Sequence, residues 1–144
     1  MGAGNAGRED RSRTGMTVAR YLLDATFLID YLRGDPAAVE RFERFFVDSD
    51  DALVNEIAVC ETRYGLRPAH VADFEAMLRP IEFLQPGPAA ALAAGRWRAE
   101  ARERGRVLSL SDALIAAAAD ATDATVLTRN VRDFSLTPVR VETY

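Results

Sequence analysis

The segment at residues 21–32, YLLDATFLIDYL, constrains the fold of this chain most strongly. It begins with three consecutive apolar residues, and such a run without polar alternation is typical of a strand that helices cover on both faces. Asp24 ends the run. Because the carboxyl ends of the strands border the ligand crevice in an open parallel sheet, Asp24 is expected at the functional edge of an α/β fold.

Asp24 has two interpretations. Asp24 or Thr26 can accept hydrogen bonds from the first backbone amides of a short helix over residues 26–32, which is an ordinary role at a strand-to-helix junction. Alternatively, Asp24 belongs to a functional site. The second interpretation is favoured because carboxylates recur at equivalent positions later in the chain.

The remainder of the chain alternates short apolar strands with helices. Strands are predicted at residues 52–54, 81–84, 124–128 and 139–141, and helices are predicted between them. Residues 113–119 are apolar on every side, which predicts a helix buried in the middle of the domain. This alternation indicates an α/β domain of three α/β/α layers with a central, mostly parallel sheet.

Length and composition limit the class of protein. A single domain over residues 17–144 is expected, preceded at residues 1–16 by a disordered extension or a remnant of the expression vector. The longest apolar run is too short to span a bilayer, so no membrane association is expected. The single cysteine, Cys60, excludes an internal disulfide and fits a reducing, cytoplasmic setting. Its apolar neighbours predict that Cys60 is buried.

All 18 basic residues are arginines, although the net charge is −4. The negative charge argues against non-specific binding of nucleic acid, but guanidinium groups suit phosphates well. Five arginines cluster at residues 96–106, where a solvated helix face is an equal alternative because glutamates are interleaved. Two more arginines stand at positions 129 and 132.

Four carboxylates lie at or near the carboxyl side of a predicted strand or the matching end of a helix: Asp24, Glu61, Asp112 and Asp133. A parallel sheet brings such positions toward one crevice. Converging carboxylates repel one another, and a divalent cation neutralises that repulsion. Oxygen ligands without thiolate or imidazole point to Mg²⁺ or Mn²⁺.

Other chemistries lack the residues that they need. A ribonuclease with a histidine pair is excluded because His70, predicted at the surface, is the only histidine. Neither of the common glycine-rich phosphate loops is present. A receiver-like phosphoacceptor domain uses a lysine at a strand end, and this chain contains no lysine.

Four segments carry a resemblance to a known family. LLDATFLIDYLRGD, VNEIAVCETRYG, GRVLSLSDALIAAAA and VLTRNVRDF, in this order and at these separations, resemble the PIN-domain ribonucleases, in particular the VapC-type toxins of bacterial toxin-antitoxin pairs. The resemblance implies an endoribonuclease that depends on Mg²⁺ or Mn²⁺ and has a compact α/β/α fold. It further implies a homodimer, inhibited by a cognate VapB-type antitoxin.

The resemblance also assigns roles to residues. It implies that Asp24, Asp112 and Asp133 bind metal, with Glu61 holding a bound water or a second ion, and that cleavage leaves a 5′-phosphate and a 3′-hydroxyl. In some relatives the fourth acidic position aligns with Asn130 instead of Asp133. One departure is an alanine directly after the first aspartate. The expected substrate contacts are Thr26, Arg106, Arg129, Asn130 and Arg132.

Two questions remain open at this level. A catalytically silent PIN-like module for binding or dimerisation is the alternative to an enzyme, since the sequence does not show whether the four acids converge. Large apolar residues on two predicted helices either fill the core or meet a second copy or an antitoxin helix: Phe42, Phe45, Phe46 and Trp97.

Overall fold

Five parallel strands and six α-helices build the structure, a computed structural model that describes residues 18–144. The strands are β1 (Arg20–Leu23), β2 (Asp51–Asn55), β3 (Glu82–Leu84), β4 (Thr125–Leu127) and β5 (Val141–Glu142). The helices are α1 (Ala25–Leu32), α2 (Pro36–Asp48), α3 (Glu56–Gly65), α4 (Val71–Leu78), α5 (Pro88–Glu103) and α6 (Leu110–Ala121). The predicted extension at residues 1–16 lies outside the described residues.

The strand order is β3-β2-β1-β4-β5, and every pairing is parallel. From β1 the chain builds the sheet outward through β2 and β3, then returns to place β4 on the other side of β1. The strand order therefore reverses between β1 and β4. Such a switch point opens a crevice at the carboxyl ends of the two strands, where α/β proteins bind ligands.

Helices cover both faces of the sheet. Leu22 and Leu23 point to opposite faces of β1, and neither side chain is exposed to solvent. The three-layer α/β/α architecture predicted from the apolar runs is confirmed, and the sheet is parallel throughout rather than mostly parallel. No helix among residues 18–144 has the length and apolar character to cross a bilayer.

The helices α5 and α6 form the largest helix–helix contact in the described chain. Their facing surfaces are rich in alanine, and small side chains allow two helices to approach closely. The predicted apolar face of α5 is buried, as are the alanines in the middle of α6: Ala90, Ala94, Trp97, Ala101 and residues 116–119. This packing fixes the direction in which the first turn of α6 points.

Polar side chains at the helix starts accept hydrogen bonds from backbone amides in the first turn. Asp24 accepts from the amide of Ala25 at 2.8 Å and begins α1, and Ser109 accepts from that of Asp112 at 3.1 Å and begins α6. Asn55 caps α3 in the same way at 3.1 Å. Because α1 and α3 start immediately after β1 and β2, their first turns border the carboxyl edge of the sheet.

Two sequence-based expectations about side chains are corrected or refined. The predicted burial of Cys60 is wrong, because its side chain is exposed on α3. Ala58 and Thr62, four residues apart, form the buried face of that helix, and Cys60 lies midway between them on the outer face. Among the large apolar residues, Phe46 alone of the four is exposed, at 59%.

One strand boundary also differs from the sequence-based expectation, and two 3₁₀ helices complete the fold. The first 3₁₀ helix, Pro68–His70, precedes α4. The last strand comprises only Val141–Glu142, after a proline at position 138. A second 3₁₀ helix, Val131–Phe134, follows β4 and carries one of the predicted site residues.

Candidate active site

Asp24 and Thr128 lie side by side at the switch point between β1 and β4. Leu23 is in register with Leu127, so the next residue of each strand emerges at the same edge. The amide of Asp24 donates to the Leu127 carbonyl at 3.2 Å, and the Thr128 hydroxyl donates to Asp24 Oδ2 at 2.8 Å. The sheet register therefore places a carboxylate and a hydroxyl together.

The carboxylate of Asp24 is buried and fixed by three hydrogen bonds. Oδ1 accepts from the amide of Ala25, whereas Oδ2 accepts from the hydroxyls of Thr26, at 3.2 Å, and Thr128. Burial raises the pKa of Asp24, the three hydrogen bonds partly oppose that rise, and the charge of Asp133 adds to it. Asp24 is thus both the N-cap of α1 and a carboxylate destabilised by its surroundings.

Asp112 interacts electrostatically with the other three predicted carboxylates. It is half-buried in the first turn of α6, and burial is the main cause of its raised pKa. A hydrogen bond with Ser109 lowers the pKa, while the charges of Asp133, Asp24 and Glu61 raise it further. The four side chains therefore share one neighbourhood at the carboxyl edge of the sheet.

Glu61 and Asp133 are the exposed members of this group. As the side chains stand, no three His, Cys, Asp or Glu residues among the described ones are arranged to hold a metal ion. The donor set nevertheless fits a hard divalent cation in its chemistry, because it offers carboxylate oxygens whose mutual repulsion a cation relieves. Exposed carboxylates can rotate toward a cation at little cost.

The predicted substrate contacts have different surroundings. Thr26 touches Asp24, and the backbone amide of Asn130 donates to the Thr128 hydroxyl at 2.9 Å. Arg129 pairs with Asp35 at 2.7 Å and therefore points toward the start of α2. The other two predicted contacts are exposed and form no ion pair within residues 18–144: Arg106 and Arg132.

Thr128 is the site residue that sequence reasoning missed. It was included in the strand predicted at residues 124–128, although β4 ends one residue earlier, and its hydroxyl is completely buried against Asp24. One indication was available in the sequence. Thr128 follows an apolar strand directly, as Asp24 does, and parallel strands bring such positions to the same edge.

Known proteins resemble this chain in both sequence and fold. A family model described as PIN domain matches residues 21–138. Ribonuclease VapC19 of Mycobacterium tuberculosis is 32% identical over 117 residues, which cover 81% of this chain and 94% of the relative. The tRNA(fMet)-specific endonuclease VapC of Salmonella typhimurium is 26% identical over 129 residues, covering 85% and 96% respectively.

A solved structure agrees with these matches. The DNA-bound VapBC structure from Salmonella typhimurium contains a chain that superposes with a TM-score of 0.76 at 26% identity, covering 88% of this chain and 98% of that chain. The matched region contains the whole carboxylate group described above. With its parallel sheet, its order of strands and these relatives, the chain belongs to the PIN domain family and, within it, to the VapC proteins.

Proposed function

We propose that this protein is the toxin of a toxin–antitoxin pair and an endoribonuclease that hydrolyses phosphodiester bonds in RNA with the help of Mg²⁺ or Mn²⁺. The observation that supports the proposal is the pair of buried or half-buried aspartates at this edge of the sheet, whose pKa values are raised by burial and further by neighbouring carboxylates, Asp133 for Asp24 and Asp133, Asp24 and Glu61 for Asp112. Relatives named as a ribonuclease and as a tRNA-specific endonuclease support the same activity.

Each carboxylate has a proposed task that follows from its surroundings. Asp24, which the fold holds rigidly, Asp112 and Asp133 are the proposed metal ligands, and Glu61 orients the attacking water by accepting a hydrogen bond. A bound divalent cation supplies the Lewis acidity that polarises a phosphate oxygen and makes water more acidic. The alternative at the fourth position, Asn130, contributes its backbone amide to Thr128 rather than a charge.

Two exposed arginines are the proposed contacts to the RNA backbone. Arg106 and Arg132 are exposed guanidinium groups without a carboxylate partner in the described chain, so both are free to contact phosphates that flank the cleaved bond. A single-stranded RNA segment is the preferred substrate, because an unstacked backbone can enter a crevice at a sheet edge. An RNA substrate and the single, exposed cysteine fit action in the cytoplasm.

A VapB-type antitoxin and a second copy of the chain are the proposed protein partners. The solved neighbours include VapBC complexes, and this chain exposes large apolar side chains that a partner can cover. Phe46 on α2 and Leu92 on α5 are examples, at 59% and 73% exposure.

The test maps new RNA 5′ ends after brief induction of the wild-type protein and of two variants. Asp112→Asn removes a proposed ligand, and Asp120→Asn is the matched control because Asp120 is an exposed aspartate on the same helix. New 5′-phosphate ends at one or a few sites are expected with the wild type and the control, and not with Asp112→Asn. Equal cleavage by Asp112→Asn contradicts the metal assignment, and cleavage by none of the three indicates a silent binding module.

A further inference from the structure

A second cluster of polar side chains lies next to the carboxylate group and joins three distant parts of the chain. The Tyr144 hydroxyl donates to Asp30 Oδ2 of α1 at 2.6 Å. Arg129, in the loop after β4, pairs with Asp35 at 2.7 Å through Nη2 and lies 3.6 Å from Asp30 Oδ2 through Nη1. We call these four residues the Tyr144 cluster.

The ring of Tyr144 is held from two sides as well. The guanidinium of Arg129 lies 4.7 Å from the ring centroid, and the ring of Phe27 meets it edge to face at 4.9 Å and 90°. Phe27 is fully buried on the first turn of α1. Tyr144 is therefore fixed to α1 by its hydroxyl and its ring, and Arg129 is fixed to Tyr144.

The cluster is connected to the site through the loop after β4. Arg129 directly follows Thr128, whose hydroxyl donates to Asp24, and the amide of Asn130 donates to that same hydroxyl. Asp133 lies at the far end of this loop, in the 3₁₀ helix Val131–Phe134. One short loop thus carries both the hydroxyl that orients Asp24 and a carboxylate that the other acids repel.

Repulsion explains why this loop needs an attachment. Asp133 interacts unfavourably with Asp24 and Asp112, and it is exposed, so little packing resists its displacement. Partly exposed ion pairs alone hold a loop weakly. The hydroxyl bond and ring contacts of Tyr144 add a rigid support, because they fix where the Arg129 guanidinium can lie.

From this connection we infer that Tyr144 is a positioning residue, which through Asp30 and Arg129 holds the loop after β4 so that Thr128 and Asp133 stay beside Asp24. The inference rests on the proposed nuclease function for its catalytic consequence. It also reassigns Arg129, which the sequence predicted as a phosphate contact, to the support of the loop.

The test compares Tyr144→Phe with the wild type and with Tyr64→Phe. Tyr144→Phe removes only the hydroxyl and leaves both ring contacts possible, whereas Tyr64 is a 92% exposed tyrosine on α3. Amide hydrogen exchange is measured on the metal-free protein, and RNA cleavage is measured separately. In Tyr144→Phe alone, exchange in residues 128–134 is expected to rise, and kcat to fall about tenfold with KM unchanged, the scale seen when a supporting partner is lost.

Arg129→Gln provides the second variant and separates two roles. A supporting Arg129 predicts the same local rise in exchange and a loss in kcat. An Arg129 that binds RNA phosphate predicts instead a higher KM, a weaker salt dependence of binding and unchanged exchange, and that result overturns the assignment.

Three further results also overturn the inference. These are unchanged exchange in Tyr144→Phe, a rise in exchange that extends equally to β1 and α6, and normal kcat despite a loosened loop. Failure of the nuclease proposal is recognised separately, because the wild type then cuts no RNA. In that case the exchange measurement alone decides whether Tyr144 holds the loop.

Discussion

The two sides of the carboxylate group differ in how the chain holds them. On one side, Asp24 is 5% exposed and accepts hydrogen bonds from one backbone amide and two hydroxyls. On the other side, Glu61 and Asp133 are exposed, and Asp112 is only half-buried. The first side is fixed by folding, whereas the second side keeps its side chains free to adapt.

If the group binds a cation as proposed, the two sides have different roles in that site. A carboxylate held by buried hydroxyls defines where a cation binds before any ligand arrives, which lowers the cost of assembling the site. Exposed carboxylates opposite it can adjust to the ion, the water and the RNA. Substitutions on either side test whether the two roles differ.

Replacing one charge on each side gives the largest contrast. Asp24→Asn is expected to lower kcat/KM about 1,000-fold, because roughly 4 kcal/mol of transition-state stabilisation by the cation depends on the fixed ligand. Glu61→Gln is expected to cost only about tenfold, because an amide can still orient water. Cleavage of a defined RNA at saturating Mn²⁺ measures both.

The control for these two variants is that both fold like the wild type. Asn is as good an N-cap as Asp, so Asp24→Asn leaves α1 intact and circular dichroism spectra of both variants match the wild type. Equal losses of kcat/KM in Asp24→Asn and Glu61→Gln contradict the distinction between a fixed and an adaptable side.

Cation binding is expected to stabilise the fold. At a hundredfold excess over Kd, Mn²⁺ raises the free energy of unfolding by about 2.7 kcal/mol. Asp112→Asn removes most of this gain, while Asp120→Asn, on the exposed end of the same helix, keeps it. Denaturant unfolding at several Mn²⁺ concentrations measures the effect, and an equal gain in all three proteins rules out the assigned site.

The hydroxyl of Thr128 is expected to matter for both stability and activity. Thr128→Val keeps the shape but leaves Asp24 with one fewer donor, which costs about 1–3 kcal/mol of unfolding free energy and about 10–100-fold in activity. Thr62→Val is the matched control, because that buried hydroxyl only donates to the Ala58 carbonyl within α3. If both variants lose the same activity, the bond to Asp24 is not what matters.

The smallest effect is a pH dependence of the metal-free protein. The pKa of Asp112 is raised in the folded state, so folding binds protons above the ordinary value of 3.8, and this residue's contribution to stability falls as pH rises through that window. The free energy of unfolding of Asp112→Asn is therefore expected to increase relative to that of the wild type as pH rises. The increase is roughly 0.5 kcal/mol, because solvent screens a half-buried charge. A difference in unfolding free energy between the two proteins that does not change with pH contradicts the raised pKa of Asp112.

The fold was largely predictable because its determinants are local in the sequence. Apolar runs located four of the five strands closely, and Asp24 was recognised as a possible cap of α1. The same locality explains why the cap interpretation of Asp24 is confirmed. The proposed role as a site ligand is compatible with the cap, because both use the position directly after β1.

The unpredicted features depend on contacts between distant residues. Thr128 bonds to Asp24 across 104 positions, and Tyr144 bonds to Asp30 across 114. A neutral hydroxyl leaves no charge pattern, and only the register of β1 with β4 brings these groups together. Cys60 was misjudged for a related reason, since its apolar neighbours in sequence lie on other faces of the helix.

The position of β4 beside β1 has a consequence for the synthesis of this protein. During translation β1, β2 and β3 emerge first and can pair in order, but the other edge of β1 stays open until residues 125–127 follow. Until β4 docks, Asp24 lacks its Thr128 partner. The sheet edge that Asp112 and Asp133 border is also incomplete until then. The carboxylate group of a nascent chain therefore stays incomplete until residue 128 has been made and β4 has docked beside β1.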